Sequence, residues 1–129
     1  MQLLCLGDIA LLGEPIAGKN WPSYSDLSLG EDSKVLFNWE LPIGEKIVLN
    51  PRECGGPRLL TNPKAAETIN QWKSGFACLA TNHILDAGEG GLIRTLSFLQ
   101  NNGFETIGAG LTSEEIEKPL LWETQEGRL

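Results

Sequence analysis

The chain has 129 residues, 41% of them hydrophobic and 21% charged, which suits one domain or part of one and excludes wholesale disorder. Lys plus Arg number 10 and Asp plus Glu 17, so the net charge is −7 with the lone His neutral. That balance excludes gripping nucleic acid or anionic lipid through the overall field, and a phosphate or acidic polymer would need a local positive charge, for which a metal ion is the obvious source.

Residues 2–6 (QLLCL) read as a short buried strand ending at Gly7-Asp8. The start lacks the basic residues and cleavage site of a signal peptide, and no apolar stretch approaches bilayer length. As given, the chain reads as soluble and cytoplasmic; loss of an N-terminal anchor would make it membrane-associated or extracytoplasmic. Cys5, Cys54 and Cys78 are odd in number and form no CxxC pair, so no disulfide framework or zinc ribbon is implied. Cys5 and Cys78 lie in apolar runs and read as small core residues. Residues 9–33, punctuated by Gly13, Pro15, Gly18, Pro22 and Gly30, predict a long irregular excursion, the least regular stretch of the chain, part of it over the end of the first strand. Val35-Leu36-Phe37 leads as a strand into Asn38-Trp39-Glu40, and Ile47-Val48-Leu49 reads as a further short strand within a turn-rich region.

Asn62 before Pro63 predicts a helix start, with Ala65, Ile69 and Trp72 on one face and Gly75 closing the helix in a left-handed cap. Phe76 to Ala80 reads as a buried strand. A second helix over about residues 90–101 aligns Leu92, Leu96 and Leu99 and ends at Gly103. A short strand near Thr106-Ile107 follows. Thr112 to Glu115 has the form of a capping box opening a brief helix before Pro119. Leu120-Leu121-Trp122 then reads as a strand, and Gln125-Glu126-Gly127 as a hairpin turn. Alternating strands and helices predict an α/β sheet, parallel at least in its second half. A returning strand ought to begin where the chain stops, so residues 1–129 read as the N-terminal portion of a single larger domain.

Three polar clusters follow apolar strand runs: Asp8; Asn38 and Glu40; and Asn82, His83 and Asp86. Ligands of open α/β sheets bind at the carboxyl ends of the strands, so Asp8, Glu40, Asn82 and His83 are expected to meet on one rim. Carboxylates with an amide oxygen and an imidazole suit hard or borderline divalent ions. Each cluster also has a plainer reading. Asp8 serves equally as a turn or cap residue, Asn38 and Glu40 as solvated strand-end residues, His83 as a hydrogen-bonded structural histidine, and Asp86 as a cap for the helix after it.

LGDIALLGE, FNWELPI and the run from GFACLATNHILDAGEGG to GAGLTSEE, followed by Pro119, resemble the CapA family of capsule or poly-gamma-glutamate biosynthesis proteins, within the calcineurin-like metallophosphoesterase superfamily. The resemblance runs from residue 3 to about 122 and is most specific over Thr81 to Gly88. It implies a four-layer α/β/β/α metallophosphatase-like fold, of which this chain would be the N-terminal half, with divalent metal ions, two in the full-length protein, at the sheet edge. By the same resemblance Asp8, Glu40 and Asn82 are metal ligands, with Glu40 able to bridge two ions. His83 is the general acid or phosphate-contacting group, and Asp86 orients it or caps the turn. Ala10 stands where the general superfamily pattern has His, and Glu40 where it has Asp. The superfamily's later histidine motifs are absent, which predicts that this chain alone is inactive and binds metal weakly. The function implied is capsule or poly-gamma-glutamate biosynthesis through a metal-dependent hydrolase-type site acting on an acidic polymer or a phosphoester or amide substrate. The alternative is a non-catalytic accessory protein that binds an acidic polymer or assists its export.

Overall fold

A computed structural model describes residues 2–13, 30, 33–48, 57–124 and 127–128. Its main sheet holds four strands in chain order, β1 (Gln2–Ile9), β2 (Ser33–Trp39), β3 (Gly75–Cys78) and β4 (Phe104–Ile107). All three pairings are parallel, so the parallel arrangement extends across the whole described sheet and not only its second half. Parallel neighbours need long crossovers. Helix α1 (Pro63–Ala66), running on as a 3₁₀ turn over Glu67–Gln71, lies between β2 and β3, and helix α2 (Gly88–Asn101) lies between β3 and β4.

The strand period of two divides the sheet into unequal faces. Registered pairs Leu4↔Val35, Val35↔Gly75 and Gly75↔Phe104 share one face with Phe37, Trp39 and Ala77. This face meets Ala66, Ile69 and Trp72 of the first crossover and Leu99 of α2 in the buried core. Phe37 is central to it, its ring 5.5 Å from Trp72 and 5.3 Å, edge-on, from Phe104. The other face carries Leu3, Cys5, Leu36, Cys78 and Ile107, all exposed or half-buried. Phe76 on that face is buried, stacked edge-on against Trp122 at 5.6 Å.

Helix signals in the sequence act locally and mostly survive. Asn62 caps α1 by accepting from Lys64 N at 2.9 Å, and Pro63 is its first residue. Gly103 takes φ +83° after α2, with its N–H on Gln100 O at 3.1 Å. Leu92 and Leu99 are buried and Leu96 packs partly against the core. Helix α3 (Ser113–Glu117) opens with Thr112 Oγ1 accepting from Glu115 N at 3.2 Å. The Glu115 carboxylate reaches back to Leu111 N, one residue before the usual capping-box donor.

Several expectations are corrected. Gly75 is no helix cap but the first residue of β3, where a side chain would collide with the Val35 backbone. The first strand continues through Gly7-Asp8 to Ile9, and it is not buried: β1 stands at an edge of the described sheet, and Cys5 on its less covered face is exposed. Cys78, on the same face, is half-buried, so neither cysteine is a core residue; Cys54 lies outside the described residues. Ile47-Val48 forms no strand; both are exposed, and Val48 N donates instead to Asp86 O at 2.9 Å, while Leu49 is outside the described residues. Leu120-Leu121-Trp122 is also not a strand. Pairing starts one residue later, where β5 (Glu123–Thr124) runs antiparallel to β6 (Gly127–Arg128). That pairing makes the expected hairpin, although its connecting residues 125–126 lie outside the described set, as does most of the expected 9–33 excursion. Among the described residues, no helix is long and apolar enough to cross a membrane.

Trp39 is wholly buried, and its indole Nε1 has no hydrogen-bond partner among the described residues. An unmet buried donor carries a penalty of about 1–3 kcal/mol, similar to the packing lost on trimming an indole to a phenyl ring. Trp39→Phe is therefore expected to change stability by less than about 1 kcal/mol, against about 3–5 kcal/mol lost in Trp39→Ala. Urea unfolding of the two variants measures both; a Phe variant as damaged as the Ala variant contradicts the account.

Candidate functional site at the carboxyl ends of the strands

The carboxyl ends of β1, β2 and β3 coincide, because Asp8 registers with Asn38 and Asn38 with Cys78. A register shift makes this possible. Cys5 pairs with Leu36 and Asp8 with Asn38, so β1 spends three residue steps where β2 spends two. Without the extra residue, strict alternation would put Asp8 opposite Trp39 on the core face. The bulge re-aims it to the polar face beside Asn38, a common use of bulges near sites.

Two carboxylates then meet across one amide. Asn38 Nδ2 donates to Asp8 Oδ1 at 2.9 Å and to Glu40 Oε2 at 2.6 Å. Asp8 is exposed, and Asn38 and Glu40 are half-buried. Past the end of β2, Glu40 N donates to Ile9 O at 3.1 Å, which keeps this carboxylate beside the first strand. The turn after β3 joins the same rim: Thr81 Oγ1 donates to Glu40 O at 2.9 Å and accepts from His83 N at 3.1 Å. Asn82, between them in sequence, is exposed.

His83 Nδ1 lies 2.7 Å from Asp86 Oδ2. A carboxylate only accepts, so neutral His83 carries its proton on Nδ1 and keeps the lone pair on Nε2. Asp86 is buried, with 4% of its surface exposed. Oδ2 also accepts from Leu59 N at 2.7 Å, and Oδ1 is 3.8 Å from Arg58 Nη1. Asp86 does not cap α2; that position belongs to Ala87, which makes no side-chain cap bond.

The structure thus gathers Asp8 and Glu40 directly and ties the His83 turn to them through Thr81, with Asn82 exposed on that turn. Asn38, Thr81 and Arg58 were not among the expected ligands and catalytic groups. Asn38 and Thr81 flank the expected residues in sequence, but nothing in the local pattern marks Arg58, which reaches Asp86 from a loop 28 positions earlier.

Among the described residues, no group of three or more His, Cys, Asp and Glu side chains is gathered to hold a metal ion. The donor types on the rim are two carboxylates, Asp8 and Glu40, with the side-chain amides of Asn38, which bridges them through Nδ2, and of Asn82, exposed on the turn after β3. Such a set does not suit a closed zinc cage, but it fits a hard cation such as Mg²⁺, which keeps several waters and takes one or two carboxylates.

A parallel α/β sheet with a polar rim at its strand ends places the molecule among open-sheet proteins whose ligand edge is built from strand-end loops. Within that broad class, the chain belongs to the family of bacterial capsule synthesis proteins: the PGA_cap family model matches residues 5–129. The resemblance to CapA proteins seen in the sequence agrees with that membership. No curated protein matches the chain.

Proposed function

We propose that this chain contributes a divalent-cation-dependent, hydrolase-type site to capsule synthesis, acting on an acidic polymer such as poly-gamma-glutamate or on a phosphoester or amide substrate. The observation that carries the reading is the pair of carboxylates, Asp8 and Glu40, held from separate strands on one amide nitrogen, with the His83–Asp86 pair tied to the same rim. Asp8 and Glu40, with Asn82, would hold the cation, and a second ion would draw on further donors. When bound, the cation supplies positive charge to an oxygen of the phosphoryl or carbonyl group. It also answers the net charge of −7, which otherwise opposes an anionic substrate. His83 handles the proton: its neutral form accepts at Nε2 while Asp86 keeps Nδ1 protonated, and its imidazolium form donates from Nε2 to a leaving group. The finer fold belongs to the same reading. A second sheet against the half-covered face of Leu3, Cys5, Leu36 and Ile107 would complete a four-layer α/β/β/α arrangement.

Titration calorimetry with Mn²⁺ and Mg²⁺ tests the site. Asp8→Asn and Glu40→Gln are each expected to weaken cation binding by about tenfold or more. Weak binding is the expectation for this chain alone, and binding indifferent to both substitutions rejects the reading. Retention of acidic polymer that is indifferent to added cation would favour an accessory, non-catalytic role.

A further inference from the structure

We propose that Thr81 is a positioning residue, whose single hydroxyl sets the placement of His83 relative to Glu40. The inference rests on the site proposed above. The ladder between β2 and β3 has its last registered pair at Asn38 and Cys78. Beyond that pair the two chains turn their backbone bonds away from each other. Glu40 N goes to Ile9 O of β1 at 3.1 Å, and Leu79 N goes to Ile107 O of β4 at 2.8 Å. Among the described backbone bonds, none beyond that pair joins the segment bearing Glu40 to the one bearing His83.

Thr81 supplies a side-chain tether. Its hydroxyl has one hydrogen and two lone pairs, so it can donate and accept at once. The hydrogen goes to Glu40 O at 2.9 Å, and a lone pair takes His83 N at 3.1 Å. The Thr81 backbone is itself held in a tight turn, its N–H on Leu79 O at 2.8 Å, and β-branching stiffens χ1. Each tethered residue continues to a different part of the rim: Glu40 through Asn38 to Asp8, and His83 through Nδ1 to Asp86. One hydroxyl therefore joins the carboxylate half of the site to the imidazole half.

The test compares the unaltered chain with Thr81→Val, which keeps the shape and loses both bonds, and Thr81→Ser, which keeps the hydroxyl. His83 is the only histidine, so its ring ¹H and ¹⁵N signals are unambiguous. Without any added cation, T81V is expected to shift the His83 ring signals, and T81S to leave them close to those of the unaltered chain. T81V is also expected to weaken Mn²⁺ binding by about tenfold, with T81S restoring it. A T81V chain that melts earlier but keeps the His83 ring signals unmoved would show Thr81 to be merely structural and overturn the proposal. So would a T81S chain displaced as far as T81V. If T81V does not fold, the unaltered chain decides: His83 N–H is expected to exchange slowly, and exchange at the rate of an open amide overturns the tether. Mn²⁺ binding indifferent to Asp8→Asn and Glu40→Gln would reject the cation reading, while the cation-free ring signals still judge Thr81.

Discussion

Asp86→Ala is expected to lower stability by about 3 kcal/mol, because it removes a buried carboxylate from several partners at once. Leu59 N at 2.7 Å and His83 Nδ1 at 2.7 Å both lose their acceptor on Oδ2, and Arg58, 3.8 Å from Oδ1, loses this contact. The two hydrogen bonds carry most of the effect, since each to an ionised group is worth about 1.5–3 kcal/mol, whereas the Arg58 contact is long. Asp86→Asn separates the roles. Its amide oxygen at the Oδ2 position can keep both Leu59 N and the Nδ1 proton of His83, while the NH₂ falls at the Oδ1 position, facing Arg58 Nη1. The Asn variant is expected to recover about half of the stability lost in the Ala variant and to leave the His83 tautomer unchanged, with the proton on Nδ1. Urea unfolding gives the first quantity and ¹⁵N shifts of the sole histidine give the second. An Ala variant within about 0.5 kcal/mol of the unaltered chain would mean that Asp86 is not the anchor described.

Gly75→Ala is expected to be comparably damaging for a different reason. Gly75 begins β3 with an ordinary backbone angle, so the difficulty is space, not conformation. A Cβ there would run into the Val35 carbonyl oxygen and stand 2.6 Å from Val35 Cγ2. Val35 is fully buried, and its N–H is bonded to Ser74 O at 3.4 Å, so neither strand can yield without opening the β2–β3 ladder. Overpacking of this kind costs about 3 kcal/mol, which corresponds to a melting-temperature fall on the order of 10 °C. Gly7→Ala is the control, since a Cβ at Gly7, at the edge of the described sheet, meets nothing within 4 Å among the described residues. Its melting temperature is expected to stay within about 2 °C of the unaltered chain. Equal effects from the two substitutions would show that general strand propensity, and not the contact with Val35, is responsible.

These positions also divide what could be read locally from what could not. The sequence by itself determined the helix boundaries at Asn62-Pro63 and Gly103, the apolar stripe of α2, and the strand positions around Phe37, Ala77 and Thr106. Caps and periodicity depend on neighbours within about four residues, so the chain carries them wherever it folds. It also marked the polar residues that follow each apolar run, and the parallel sheet brought Asp8, Asn38 and Glu40 to one rim. Only the tertiary structure decided how those residues engage one another. The extra residue between Cys5 and Asp8 has meaning only against β2, where it turns Asp8 from the core to the polar face. Gly75 resembles a helix terminator in sequence, yet its need arises from Val35, 40 positions earlier. Cys5 looks like a core residue because its neighbours are apolar, but burial is set by what lies over a face, and β1 stands at an edge of the described sheet. Asp86 looks like a helix cap, but the donors of Leu59 and His83 claim its carboxylate. Register, face and partner are properties of chains brought together, which is why spacing along one chain indicated the residues of the rim but not their bonds.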